Sequence, residues 1–228
     1  MDHVDLEHLY KDLVLTGTST QPAVTLHLVT ALNGAATGPD GRSGTLGGEA
    51  DLVAMRRVRD GSDAILVGGS TVRAEGYGPV RSTPERRAAR ERNGLAAVPR
   101  LAVLTNGGVD TERLRGDGDR PVLITSNDEL AGDEHAEVVV LEEPITAPAL
   151  LAVLHDLGLH RILCEGGPSL AQWLLEAELV DELFLTVAPA IVGGQPRLLP
   201  DPLPVLALEL RSAARHQDDV LLRYAVRR

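Results

Sequence analysis

Aromatic side chains are nearly absent from this 228-residue chain: one Phe, one Trp and three Tyr make up 2% of it. That leaves little material for stacking the bases of a single-stranded nucleic acid. A single cysteine, Cys164, excludes an internal disulfide framework. No apolar run approaches the roughly 20 residues of a membrane-spanning helix, and no secretory leader pattern is recognisable, so the expected location is the cytoplasm. Bases are outnumbered by acids, for a formal net charge of −11. Nucleic acid and anionic membrane would be repelled over the whole surface, so neither is an expected partner. An anionic ligand would need a local basic patch.

Familiar catalytic signatures are missing too. There is no G-x-G-x-x-G, hence no Rossmann-type dinucleotide fingerprint, and no G-x-S-x-G elbow of an α/β-hydrolase. Seven histidines include no H-E-x-x-H pair, and His155 and His160 span a helix end rather than one helix face. No metal is expected. Cys164 lies in an apolar run with no base or second thiol beside it, which reads as a buried structural residue.

What is present is an aliphatic core, 43% of the residues being hydrophobic. No linker separates two apolar halves, so residues 23–228 are expected to form a single domain behind an N-terminal extension, residues 1–22. Within that extension the run from Asp5 to Leu13 suggests a short amphipathic helix. Alternation from Ala23 to Leu32 predicts a strand. The stretch Glu49 to Asp60, with Leu52, Val53, Met55 and Val58 at near-helical spacing and Gly61 behind it, predicts a helix. Short apolar runs at Ala64–Val67, Leu101–Leu104, Pro121–Thr125, Val138–Leu141, Ile162–Cys164 and Glu182–Ala188 predict strands. Helices are expected at Pro148–Leu157 and Ser169–Ala177, and two antiparallel strands around Ala207–Leu210 and Val220–Val226. The alternation indicates an α/β fold, a mixed and mostly parallel central sheet flanked by helices.

Two of the strands run into glycine doublets, Gly68-Gly69 and Gly166-Gly167. Either could be a tight turn; together they suggest paired cradles in which strand ends and helix starts offer free N–H groups to phosphate. Pro168 and Ser169 suit the first turn of the helix that follows. Glu165 would repel phosphate unless the ligand presented another face to it, which points to a large, two-faced ligand. Arg56, Arg57, Arg59, Arg73 and Arg81 cluster around the first doublet, and Arg59 and Arg73 are the better phosphate candidates. The charged run Pro84–Arg92 reads as an exposed helix or loop.

Three segments then carry a resemblance: Val24-Thr-Leu-His-Leu-Val-Thr-Ala-Leu-Asn-Gly, Asp63-Ala-Ile-Leu-Val-Gly-Gly-Ser-Thr-Val-Arg-Ala-Glu, and Leu163-Cys-Glu-Gly-Gly-Pro-Ser-Leu with Ala188-Pro-Ala-Ile-Val-Gly-Gly further on. Their order and spacing resemble the reductase domain of the bacterial riboflavin-synthesis enzyme, of the dihydrofolate-reductase-like superfamily. The resemblance implies a three-layer dihydrofolate-reductase-like fold, a homodimer, NADPH as hydride donor, and reduction of the ribosyl group of a phosphoribosylamino-pyrimidine. It also implies cofactor contacts at Gly68, Gly69, Thr71, Glu75, Thr105, Gly166, Gly167, Pro168, Ser169 and Leu170, with Thr105 near the adenosine 2′-phosphate. Substrate contacts fall on Ser43, Arg59 and Glu165, with Arg81 a further basic candidate.

The chain departs from that pattern twice. Ala31-Leu32-Asn33-Gly34 stands where Ser-Leu-Asp-Gly is usual, and Glu75-Gly76-Tyr77 where Asp-Asp-Pro is usual. Asn33 has no ionisable proton, so a proton-handling role there passes to Glu75, Glu165 or water. The H-x-E and P-C-x-x-C ligands of a zinc deaminase are absent, and deamination is not expected. Two alternatives stay open: reduction of dihydrofolate or another pteridine- or pyrimidine-like compound, and a non-catalytic NADPH-binding protein.

Overall fold

The computed structural model describes residues 2–11, 13, 15, 21–199 and 203–227. Strands are β1 (Asp2–His3), β2 (Ala23–Ala31), β3 (Ala64–Gly68), β4 (Arg100–Leu104), β5 (Val122–Thr125), β6 (Glu137–Val140), β7 (Arg161–Cys164), β8 (Glu182–Ala188), β9 (Leu208–His216) and β10 (Asp219–Val226). Helices are α1 (Glu49–Asp60), α2 (Gly69–Glu75), α3 (Pro84–Arg92), α4 (Thr111–Leu114), α5 (Ala147–Asp156) and α6 (Pro168–Glu176). One sheet takes the order β1-β9-β10-β8-β2-β7-β3-β4-β5-β6. Every neighbouring pair from β8 to β6 is parallel, and β10 runs antiparallel to both β8 and β9.

Period-two alternation along the strands divides the core into two faces. Val24, Leu26, Leu28, Ala64, Leu66, Ile162 and Cys164 point to the α5 and α6 side, where Leu150, Leu154, Ala171 and Leu174 meet them. On the opposite face Ile65, Val67, Leu101 and Val103 pack with Val72 of α2 and Leu114 of α4. Leu163 and Phe184 there meet Val58 of α1 and Leu15. Helices thus cover both faces, as a buried parallel sheet requires. Each fully buried leucine in such a core contributes about 1.5–3 kcal/mol.

Four sequence expectations change. Residues 6–11 form a series of turns rather than a helix, because Tyr10 takes a positive φ of 52° that interrupts the winding. Residues 12, 14 and 16–20 of the extension lie outside the described residues. Helix α1 buries Ala50, Asp51, Ala54 and Val58, not the face of Leu52 and Met55, which instead border a cavity. The strand expected around Ala207–Leu210 runs on to His216 through its pairing with β10. Helix α3 forms, but it is not simply a solvated charge run: Arg90 is 1% exposed. Its Nε donates to the Ala96 carbonyl at 2.8 Å, and Nη1 to the carbonyls of Arg59, Asp60 and Ser62 at 2.7, 3.1 and 2.8 Å. Burial lowers its pKa to about 10.

Candidate active site

Strands β2, β3 and β7 lie side by side, and their carboxyl ends open into one cavity of about 550 Å³. Open α/β sheets place ligands at that edge. The two glycine doublets meet here. The Gly68 N–H donates to the Gly166 carbonyl at 3.1 Å, and the Glu165 N–H to the Leu66 carbonyl at 3.1 Å. Gly166 holds φ at 90°, a region that side-chain-bearing residues rarely adopt. A Cβ on Gly167 would stand 2.7 Å from Thr71 Oγ1. The Gly166–Gly167 peptide is cis. Gly167 precedes α6, with Pro168 at its first position and no side chain capping it. The leading N–H groups and positive dipole end of α6 therefore face the cavity, a combination suited to a pyrophosphate. These residues fit the phosphate-bearing middle of a dinucleotide.

Beside the cradle, the Glu165 side chain is buried and held by three hydrogen bonds from two residues. Arg59 donates from Nε to Oε1 and from Nη2 to Oε2, both at 2.6 Å, and the Tyr77 hydroxyl donates to Oε2 at 2.7 Å. Burial alone would raise the Glu165 carboxyl, but the Arg59 charge and these hydrogen bonds keep it below its usual range. Burial and the adjacent carboxylate push Tyr77 well above the ordinary phenol value, so it stays a donor. Glu165 is thus a fixed acceptor at neutral pH and no longer a candidate proton donor. Arg59 reaches the cavity, but with two of its nitrogens committed to Glu165.

The other expected residues divide by position. Ser43, Gly68, Thr71, Glu75, Gly166, Gly167, Pro168, Ser169 and Leu170 all border this cavity. Glu75 Oε1 accepts from the Ser43 N–H and hydroxyl at 2.8 and 2.9 Å, pinning the glycine-dense loop to the end of α2. Gly69 is buried beneath the cavity, where an added Cβ would lie 2.3 Å from Thr105 Oγ1. Thr105 opens instead onto a second cavity of about 620 Å³, bordered by Leu104, Asn106, Ser126, Glu143, Pro144, Ile145 and Trp173.

Two expectations are corrected. Asn33 is exposed and borders neither cavity; its side chain is spent on Val192, donating to the carbonyl at 3.0 Å and accepting from the N–H at 3.2 Å. It ties two loops together. Arg81 is likewise exposed and borders neither cavity; with the larger effect of Arg87, its charge lowers the pKa of the Asp117 carboxyl.

Sequence reasoning missed a pair that borders the same cavity as Glu165. His27, on β2, is 7% exposed, and its Nε2 lies 3.7 Å from Asp51 Oδ1 on α1. That carboxylate oxygen is buried with no hydrogen-bond partner among the described residues. A buried unsatisfied acceptor beside an imidazole puts two groups capable of proton transfer at the cavity. Alternation along β2 placed His27 opposite Leu26 and Leu28, but nothing in the sequence tied it to a residue 24 positions on.

A family model described as RibD C-terminal domain matches residues 22–222. The chain is 31% identical over 185 residues to the 2,5-diamino-6-ribosylamino-4(3H)-pyrimidinone 5′-phosphate reductase of Archaeoglobus fulgidus, covering 77% of this chain and 84% of that protein. It superimposes on the crystal structure of a pyrimidine reductase-like protein from Corynebacterium diphtheriae with a TM-score of 0.79 at 28% identity, covering 98% of each. Dihydrofolate reductase from Enterococcus faecalis aligns with a TM-score of 0.52 at 13% identity over 91% of this chain and 98% of its own, a likeness of fold alone. The dihydrofolate-reductase-like architecture expected from the sequence is the one observed.

Proposed function

This chain belongs to the RibD C-terminal domain family, and on that premise we propose that it reduces the ribosyl group of a 5′-phosphorylated ribosylamino-pyrimidine to a ribityl chain, a step of riboflavin biosynthesis. The observation that carries the reading is the single cavity joining an anion cradle, Gly166 to Ser169, to a polar recess formed by Glu165, Arg59, Tyr77 and His27. A reduced nicotinamide dinucleotide supplies the hydride; the resemblance names its 2′-phosphorylated form, NADPH.

The chain's own residues do the rest. Gly166, Gly167 and the first turn of α6 hold the pyrophosphate, and Gly68 and Thr71 shape the wall against it, backed by Gly69. Glu165, kept ionised by Arg59 and Tyr77, accepts hydrogen bonds from the amino or hydroxyl groups of the substrate. Ser43 and Glu75 close the far side. The remaining donor capacity of Arg59 and the loop around Ser43 suit the substrate phosphate.

Reduction of a cyclic ribosylamine breaks the bond between C1 and the ring oxygen, adds hydride to C1 and leaves the oxygen needing a proton. His27 is the group we assign to deliver that proton, with Asp51 Oδ1 3.7 Å from its Nε2. A cytoplasmic location is part of the same reading, as is a homodimer. The exposed side chains of Val205, Leu208 and Leu210, before and along β9, support an interface there. Sedimentation at the mass of one chain would remove the dimer from the account.

The test is substrate-dependent loss of reduced-nicotinamide absorbance, comparing the ribosylamino-pyrimidine phosphate with dihydrofolate. Turnover of the former alone supports the proposal. Turnover of dihydrofolate alone would replace it with a pterin reductase, and tight dinucleotide binding without turnover of either would make the chain a non-catalytic binder.

A further inference from the structure

Helix α6 borders both cavities: Ser169 and Leu170 line the first and Trp173, one turn on, lines the second. The Gly69–Thr105 contact lies between them. Resting on the reading of the first cavity as the nicotinamide side, the second is where the adenosine half of the dinucleotide extends. Its volume of about 620 Å³ is ample for a nucleoside, and Ile145, Pro144 and Trp173 offer an apolar wall for the base.

Among the described residues, the polar side of that cavity carries a carboxylate and no cation. Glu143 Oε1 accepts from the Ser126 hydroxyl at 2.6 Å, and Ser126 Oγ lies 3.2 Å from Asn106 Oδ1. No Lys, Arg or His is among the described residues that border it. Arg73 donates to the Gly107 carbonyl at 3.0 Å and does not border the cavity. A ribose 2′-hydroxyl is a donor that a carboxylate accepts well, whereas a 2′-phosphate brings close to two negative charges and calls for an arginine or lysine. We infer that this chain selects the dinucleotide with a free 2′-hydroxyl, NADH, over NADPH, and that Glu143 is the specificity-determining residue.

Trp173 is the only tryptophan in the chain, so quenching of its fluorescence reports occupancy without turnover. Titrations of the full chain with NADH and with NADPH, in the parent and in Glu143→Gln, test the inference. NADH is expected to bind roughly tenfold more tightly than NADPH in the parent. Glu143→Gln is expected to tighten NADPH and bring the ratio within about threefold. NADPH binding as tightly as NADH in the parent, or a ratio unchanged by Glu143→Gln, would overturn the inference while leaving the reductase reading intact. If neither dinucleotide binds, both fall.

Discussion

Thr71 and Gly167 touch across the seam between the two glycine doublets, with room for a hydroxyl and none for a further carbon: a Cβ on Gly167 would lie 2.7 Å from Thr71 Oγ1. The contact fixes the start of α2 against the loop that opens α6. Gly167→Ala is therefore expected to destabilise the fold by about 1–3 kcal/mol and to weaken dinucleotide binding as well. Adding Thr71→Ala removes the opposing atom and should recover part of the lost stability. Denaturant titrations of the two single variants and the double variant check this; strict additivity would mean the two residues do not press on each other.

Glu165 and Arg59 lend a pH dependence to stability whose sign is fixed. The folded-state pKa of Glu165 is lowered, so its contribution is fully present above the unfolded carboxyl value and is lost as pH falls through the folded value. Replacing Arg59 by Gln leaves a buried carboxylate without its charge partner. At neutral pH that variant should lose about 3–5 kcal/mol, and because burial then raises the folded-state pKa of the carboxyl, the deficit should shrink as pH falls and the group protonates. Urea midpoints measured from pH 4 to pH 8 test both parts. A variant within about 1 kcal/mol of the parent throughout would mean the pair is solvated.

His27 carries the proposed proton step. His27→Gln keeps a polar side chain on β2 but removes the acid, so kcat should fall by about 10²–10⁴-fold while substrate KM changes little. Steady-state kinetics decide it. A kcat within about threefold of the parent would move the proton source elsewhere.

Arg90 acts at a distance from the cavity. Its guanidinium gathers the carbonyls of Arg59, Asp60 and Ser62, at the end of α1, together with that of Ala96. Arg90→Met should cost at least about 3 kcal/mol and lower activity by loosening Arg59. Thermal melts and activity at low temperature separate the two effects; an unchanged melting temperature would contradict this account of the α3 anchor.

The sheet and its glycine doublets were legible because apolar runs ending in glycine are local signals. What stayed hidden depends on partners far apart in sequence. Arg90 sits in a run that looks like any solvated helix, and its acceptors are backbone carbonyls that no side-chain pattern reveals. Tyr77 gains its meaning only when Glu165, 88 positions on, is brought to 2.7 Å. On α1, Leu52 and Met55 looked like core residues because hydrophobicity alone does not distinguish packing against a sheet from bordering a cavity. Asn33 occupied a position that the family resemblance marked as functional, yet the loop around Val192 claims both ends of its amide.

The central claim is hydride delivery to the sugar carbon of a ribosylamino-pyrimidine phosphate within the Gly166–Ser169 and Glu165 cavity. Turnover with a reduced dinucleotide deuterated at the transferable position of the nicotinamide, followed by mass spectrometry of the product, tests it most directly. One deuterium at C1 of a ribityl chain is the predicted result. A product lacking the label, or no product from the pyrimidine phosphate while the dinucleotide binds, would contradict it.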